Sequence, residues 1–214
     1  MKKTLISICC LAISYTSNGQ TTEWVLADFL KGDLNGTETN GNPKIMKSPY
    51  GDAVYFNGED DALFLENMPL KSLEEFTIEM IFRPEIDSPS FEQRIVHIGE
   101  VSADRLLLEI RTVDDNWYFD GYVASGTNKK ALIDKNLLHP LGKWHHVAFV
   151  ITPNSLTTYV NGKKELHESF IFKTIQTGRS SLGVRLNKRS WFKGAIYSVK
   201  ITPDQLKPEG FMPF

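Results

Sequence analysis

Cysteine is confined to the first ten residues of this 214-residue chain, at Cys9 and Cys10. The rest of the chain can form no disulfide, so its stability has to come from a core, which about two hundred residues can supply. Basic charge is not in excess either. Lys and Arg number 24 against 26 Asp and Glu, for a formal net charge of −2. That balance offers no field to hold a phosphate backbone, which excludes nucleic acid as the expected partner. No stretch approaches the roughly eighteen apolar residues of a membrane span. Helical periodicity is scarce too. Only Leu70–Glu75 and Pro203–Leu206 suggest a helical turn or two.

What is present begins with an export leader. Lys2 and Lys3 precede an apolar run from Leu5 to Ile13, and Ser17 and Gly19 stand at the −3 and −1 positions of a cut before Gln20. As a helix that run would rise about 14 Å, too short to span a bilayer. Lipidation at Cys9 or Cys10 is disfavoured, because Ile8 and Cys9 precede them rather than a small residue. Removing the leader takes away two lysines and no acid, leaving a single domain over residues 20–214 that is periplasmic or extracellular.

That domain reads as strands: Trp24–Phe29, Ala53–Asn57, Ala62–Leu65, Phe76–Arg83, Arg94–Ile98, Arg105–Arg111, Trp117–Val123, Trp144–Ile151, Leu156–Asn161, Ser181–Leu186 and Phe192–Ile201. Turn clusters such as KGDLNGTETNGNP, VDDN and SGTNKK separate them, and Asn161-Gly162 marks a tight hairpin. Many strands without interleaved helices demand antiparallel pairing, hence an all-β sandwich or barrel. Alternation places Phe76, Ile78, Met80 and Phe82 on one face, and Leu106, Leu108 and Ile110 on another such face. Trp117 and Phe119 behave likewise, and Trp24 and Trp144 are expected in the core. The partner faces mix charge with aromatics and are expected to be wet.

Several segments, in this order, resemble the laminin-G-like, concanavalin A-like lectin/glucanase jelly-roll family: GDAVYFNGEDDALFL, LEEFTIEMIFRP, WHHVAFV, YVNGKK and FKGAI. The resemblance runs from Trp24 to Leu206. It implies two curved antiparallel sheets stacked face to face, with a glycan- or protein-binding surface on the concave side or at the loops. It also implies a structural calcium ion, whose expected ligands are Asp28, Asp33, Asp60 and Asp61, with Asn35 nearby.

Catalytic signatures are missing. The Glu-x-Asp-x-x-Glu strand of jelly-roll glucanases, Gly-x-Ser-x-Gly and a Gly-rich phosphate loop are all absent. His145 and His146 point to opposite faces of one strand, so they cannot share a metal. The expected site is therefore a lectin-like surface. A sugar offers apolar C–H faces and polar rims, which call for a ring flanked by charged hydrogen-bonding groups. Glu79, Arg83, Glu109, Arg111, Tyr118, Asp120 and Tyr122 are expected to form one such face, with Trp191 a second platform. Two alternatives stay open: a glycoside hydrolase pairing Glu109 with Glu79 or Asp120, and an adhesion domain binding other secreted proteins.

Overall fold

The computed structural model describes residues 19–32, 36–87 and 91–214. Residues 1–18 of the leader, together with Asp33 and Asn35, therefore lie outside the described residues. In chain order the elements are β1 (Thr22–Val25), α1 (Leu26–Leu30), β2 (Thr37–Asn40), β3 (Lys44–Ser48), β4 (Gly51–Asn57) and β5 (Ala62–Leu65). There follow β6 (Phe76–Pro84), β7 (Glu92–Gly99), β8 (Arg105–Val113), β9 (Asn116–Ser125), β10 (Asn128–Ile133) and β11 (His139–Pro140). The chain ends with β12 (His145–Ile151), β13 (Ser155–Val160), β14 (Lys163–Ser169), β15 (Arg179–Leu182), β16 (Lys193–Thr202) and a 3₁₀ turn over Pro208–Gly210.

Two antiparallel sheets form a jelly-roll sandwich. The first runs β14-β13-β12-β6-β16-β4-β3, with β1 also paired to β16. The second runs β10-β9-β8-β7-β15-β5-β2, with β11 beside β9. Alternation fills the space between them as the sequence implies. Phe76, Ile78, Met80, Phe82, Leu106, Leu108, Ile110 and Trp117 are fully buried, and Phe82 meets Trp117 edge-on at 5.2 Å. Each such side chain contributes roughly 1.5–3 kcal/mol through removal of apolar surface from water. The Asn161-Gly162 turn joins β13 to β14, with φ of 49° and 75° at the two residues, as a right-twisted hairpin requires.

Four local expectations are corrected. The strand expected over Trp24–Phe29 stops at Val25. From there Leu26, Ala27 and Phe29 turn into α1 and are buried together, because a single helical turn seals this end of the sandwich where no partner strand remains. TETN, read as turn, is β2 and pairs with β5. Leu70–Glu75 is not helical but makes consecutive turns that bury Leu70 and Leu73. Pro203–Leu206 is not helical but bends at Pro203 and Asp204, held by the Thr77 hydroxyl, which donates to the Asp204 carbonyl and accepts from the Leu206 amide.

From that contact the chain runs on over the centre of the first sheet's outer face, where Thr77, Glu79 and His146 are buried. The C-terminal segment lies across β6, β12 and β13. Met212 donates its amide to Glu79 Oε1 at 2.7 Å, and the Phe211 ring sits 5.5 Å from His146 and 5.1 Å from Tyr159. Beneath it His146 Nε2 meets Glu79 Oε1 at 2.9 Å. Trp144, expected in the core, is only half-buried on this outer face, against Tyr50 and Arg83.

Candidate functional site

The outer face of the second sheet carries charge in ordered rows. Register places Arg94, Glu109 and Asp120 side by side across β7, β8 and β9. The next row holds Glu92, Arg111 and Tyr118. On the other side lie His97, Leu107 and Tyr122, and then Gly99, Arg105 and Ala124. Side chains directly opposite on one face stand about 4.5–5.5 Å apart at Cβ, so the first two rows make a polar floor, with Tyr122 and Arg105 beside it across Leu107.

Its charges are knit together. Arg94 Nε reaches Glu109 Oε1 at 2.9 Å, and Arg94 also pairs with Glu92. One Arg111 nitrogen contacts Glu109 at 3.0 Å, Asp120 at 2.6 Å and Glu92 at 3.2 Å. Glu109 and Asp120 are 2% and 3% exposed. Burial pushes the Asp120 carboxyl up to about 6, and the facing Glu109 charge pushes the same way while Arg111 opposes both. Asp120 Oδ1 has no hydrogen-bond partner. Beside this row Arg105 donates from Nη2 to the Tyr122 hydroxyl at 3.0 Å, with its guanidinium carbon 5.0 Å from the ring centroid. Tyr122, Arg105, Arg94 and Arg111 remain half-buried, which is where solvent enters.

A strap over residues 183–192 crosses the neighbouring part of this face. Gly183 opens it with φ of 84°, and a Cβ there would stand 2.5 Å from the Phe56 ring, so no larger residue fits. His97 holds the strap down. Its Nδ1 accepts the Leu186 amide at 3.3 Å and its Nε2 faces the Glu100 carbonyl at 3.1 Å. Burial, first, holds the ring's pKa at about 4, so His97 is neutral with the proton on Nε2. The strap delivers Arg185, whose Nη2 donates to the Val101 carbonyl at 2.6 Å.

The expected site residues are thus divided. Glu109, Arg111, Tyr118, Asp120 and Tyr122 do share one face, although Tyr118 is only 8% exposed. Glu79 and Arg83 belong to the other sheet, because β6 and β8 face each other across the core and their polar sides point apart. Glu79 is sealed under the C-terminal segment, and Arg83 pairs with Glu85 at 3.2 Å. The expected pairing of Glu79 with Glu109 is therefore excluded by geometry. Trp191 packs on Ala62, Phe64 and Val184 beneath the strap, closing the surface rather than offering a free platform.

The expected calcium ligands among the described residues, Asp28, Asp60 and Asp61, are each engaged by other protein groups. Asp61 spends one carboxylate oxygen on the Asn42 amide at 2.6 Å and the other on the Asn57 amide at 3.0 Å. Asp60 accepts from the Asn57 side chain at 2.7 Å, and Asp28 lies 3.5 Å from Lys31. Among the described residues no three His, Cys, Asp or Glu side chains gather as a metal-binding group. These members of the set do not fit the ion. A cleft of about 520 Å³ lies elsewhere, between β1 and the start of β2, where Gln20, Thr22, Glu23, Glu66 and Asn67 line it together with Trp24 and Phe29.

Arg94, Arg105 and Arg185 were not among the expected site residues. Arg105 was legible, since RLLLEIR alternates Arg105, Leu107, Glu109 and Arg111 onto one side. Arg185 was not, because only the folded strap carries it to the turn after β7.

Two antiparallel sheets stacked as a jelly roll place this chain in the class of all-β sandwich domains. The sequence profile described as the "Concanavalin A-like lectin/glucanases superfamily" matches residues 57–210, and the chain belongs to that family. Against curated proteins it has no significant match. Among solved structures it is similar to domain 4 of AbnA, a GH43 extracellular arabinanase from Geobacillus stearothermophilus, in complex with arabinotriose. That likeness has a TM-score of 0.63 and 17% identity, covering 84% of this chain and 87% of that one. The heptameric SAP-like pentraxin of Limulus polyphemus follows at TM-score 0.58 and 14% identity, covering 73% and 77%. The botulinum neurotoxin type G receptor binding domain gives TM-score 0.59 and 11% identity, covering 81% of this chain and 44% of that one. At these identities the likeness is one of fold. Among the described residues no helix is long and apolar enough to cross a membrane.

Proposed function

We propose that this is an exported, non-catalytic carbohydrate-binding domain whose glycan lies on the outer face of the second sheet, over β8 and β9. The supporting observation is the floor formed by Glu109, Asp120 and Arg111, with Arg105 and Tyr122 beside it. This face holds the guanidiniums of Arg94, Arg105 and Arg111 half-exposed beside the half-exposed Tyr122 ring, over the buried Glu109 and Asp120 carboxyls. A sugar's hydroxyls and C–H face complement such donors and such a ring. The arabinotriose complex of the arabinanase domain lends support by fold. The leader over residues 1–19 supplies the export, and polysaccharide is the partner.

Hydrolysis is the less supported reading. Glu109 and Asp120 meet on one nitrogen of Arg111 and lie on the same floor. They would approach a bound sugar from one side, whereas glycosidase carboxyls flank the scissile bond. Calcium plays no part in the proposal.

The test is retardation of the purified protein in native gels cast with a panel of polysaccharides, arabinan among them. One or more polymers should slow it. Tyr122→Ala should weaken that interaction at least tenfold, about 1.4 kcal/mol, with an unchanged melting temperature. Unaltered affinity in that variant removes this face from consideration.

A further inference from the structure

Two arginines on this face lack what the others have. Arg94 and Arg111 are neutralised by Glu92, Glu109 and Asp120. Among the described residues Arg105 and Arg185 have no carboxylate partner. Each is instead anchored to the same turn after β7: Arg105 Nη1 donates to the Ala103 carbonyl at 2.7 Å, and Arg185 Nη2 to the Val101 carbonyl at 2.6 Å. Both Nε atoms are buried without a hydrogen-bond partner. Of the two acids in that turn, Asp104 accepts the Gly126 amide at 2.8 Å, and Glu100 forms an ion pair with neither arginine.

The two guanidiniums also feel one another. The pKa of Arg185 is held below the usual arginine value by burial first, and then by the charges of Arg94 and Arg105, with Glu109 and Tyr122 pulling the other way. The Glu109 charge is already shared by Arg94 and Arg111, and like charges gathered without a carboxylate of their own are costly unless a ligand supplies the missing charge. A guanidinium presents parallel donors matched to a two-oxygen acceptor, and the Tyr122 ring next to Arg105 can seat the sugar that carries it.

We propose that the lobe bounded by Arg105, Arg185 and Tyr122 binds an anionic group of the glycan, a carboxylate or sulfate ester on the sugar. This rests on the carbohydrate-binding function above and adds the ligand's chemical class. Neutral sugars would occupy the Tyr122 ring but leave both guanidiniums uncompensated.

The experiment compares polymers that differ only in charge. Polygalacturonate is set against its fully methyl-esterified form, and a sulfated galactan against the same galactan after desulfation, by affinity electrophoresis of the intact protein. At least one acidic polymer should bind ten times or more tightly than its neutral counterpart, and the pair that does so separates carboxylate from sulfate. Arg105→Gln and Arg185→Gln should each bring the acidic polymer down towards the neutral one. Arg179→Gln, an exposed arginine paired with Glu66, should leave the ratio unchanged. Equal binding of charged and neutral forms overturns the anion site while the carbohydrate function stands. Failure of all polymers, charged and neutral, overturns both. The comparison on the unsubstituted protein decides the matter even where a variant fails to fold.

Discussion

Replacing Asp120 by asparagine should make the protein more stable at neutral pH, although it deletes an ion pair. The Asp120 carboxyl is raised from 3.8 to about 6, so the folded protein holds a proton there that the unfolded chain has already released. Stability credited to that proton is complete below about pH 4 and is lost as pH rises through about 6. A shift of roughly two units corresponds to about 3 kcal/mol by pH 7.5. Asparagine keeps the shape and the neutral charge state, and Arg111 retains Glu109 and Glu92. Urea unfolding should therefore place Asp120→Asn about 2–3 kcal/mol above the parent at pH 7.5 and level with it at pH 3.5. In thermal melts the neutral-pH gain is roughly 5–10 °C for a chain of this size. A variant less stable than the parent at pH 7.5, or a difference that does not change with pH, would refute the reasoning. Either result would mean that the Arg111 contact outweighs burial. A charge kept at a cost to stability is what a binding surface looks like from the folding side.

Two further outcomes follow from the packing. Phe82→Ala should cost about 3–5 kcal/mol in denaturant unfolding, because it empties a site walled by Trp117 and Phe192; a loss under 1 kcal/mol would mean that the two sheets collapse to fill it. His146→Ala strips Glu79 of its side-chain partner inside the first sheet's outer layer and should cost about 1–3 kcal/mol, the penalty for a buried hydrogen-bonding group that loses its partner. It should also speed hydrogen exchange at the Met212 amide, which Glu79 accepts; unchanged exchange there would separate the C-terminal segment from the buried pair.

Much of the fold was legible because a strand's side chains alternate with a period of two. FTIEMIFR and RLLLEIR each announce a core face without reference to anything distant, and Asn161-Gly162 announces its own turn. The failures were equally physical. WVLADF has the composition of a strand, yet beyond Val25 it finds no partner and closes into a helical turn that buries Phe29. TETN is polar enough to pass for loop, yet β5 offers it an edge. For the site, the alternation that grouped Glu109 with Arg111 and Tyr118 with Tyr122 was correct within each strand.

What the sequence by itself determined were the local choices: the strand content, the inward faces, the tight hairpin, the absence of disulfides and the polar side of β8 and β9. Only the tertiary structure decided which polar sides belong together. Pairing across strands brought Arg94, Glu109 and Asp120 into one row, and stacking of the sheets sent Glu79 and Arg83 to the opposite surface. Chain segments far along the sequence then decided what covers each outer face, the C-terminal segment sealing the centre of one and the 183–192 strap carrying Arg185 onto the other. Period and turn chemistry act over a few residues, whereas burial and charge compensation depend on neighbours that only folding supplies.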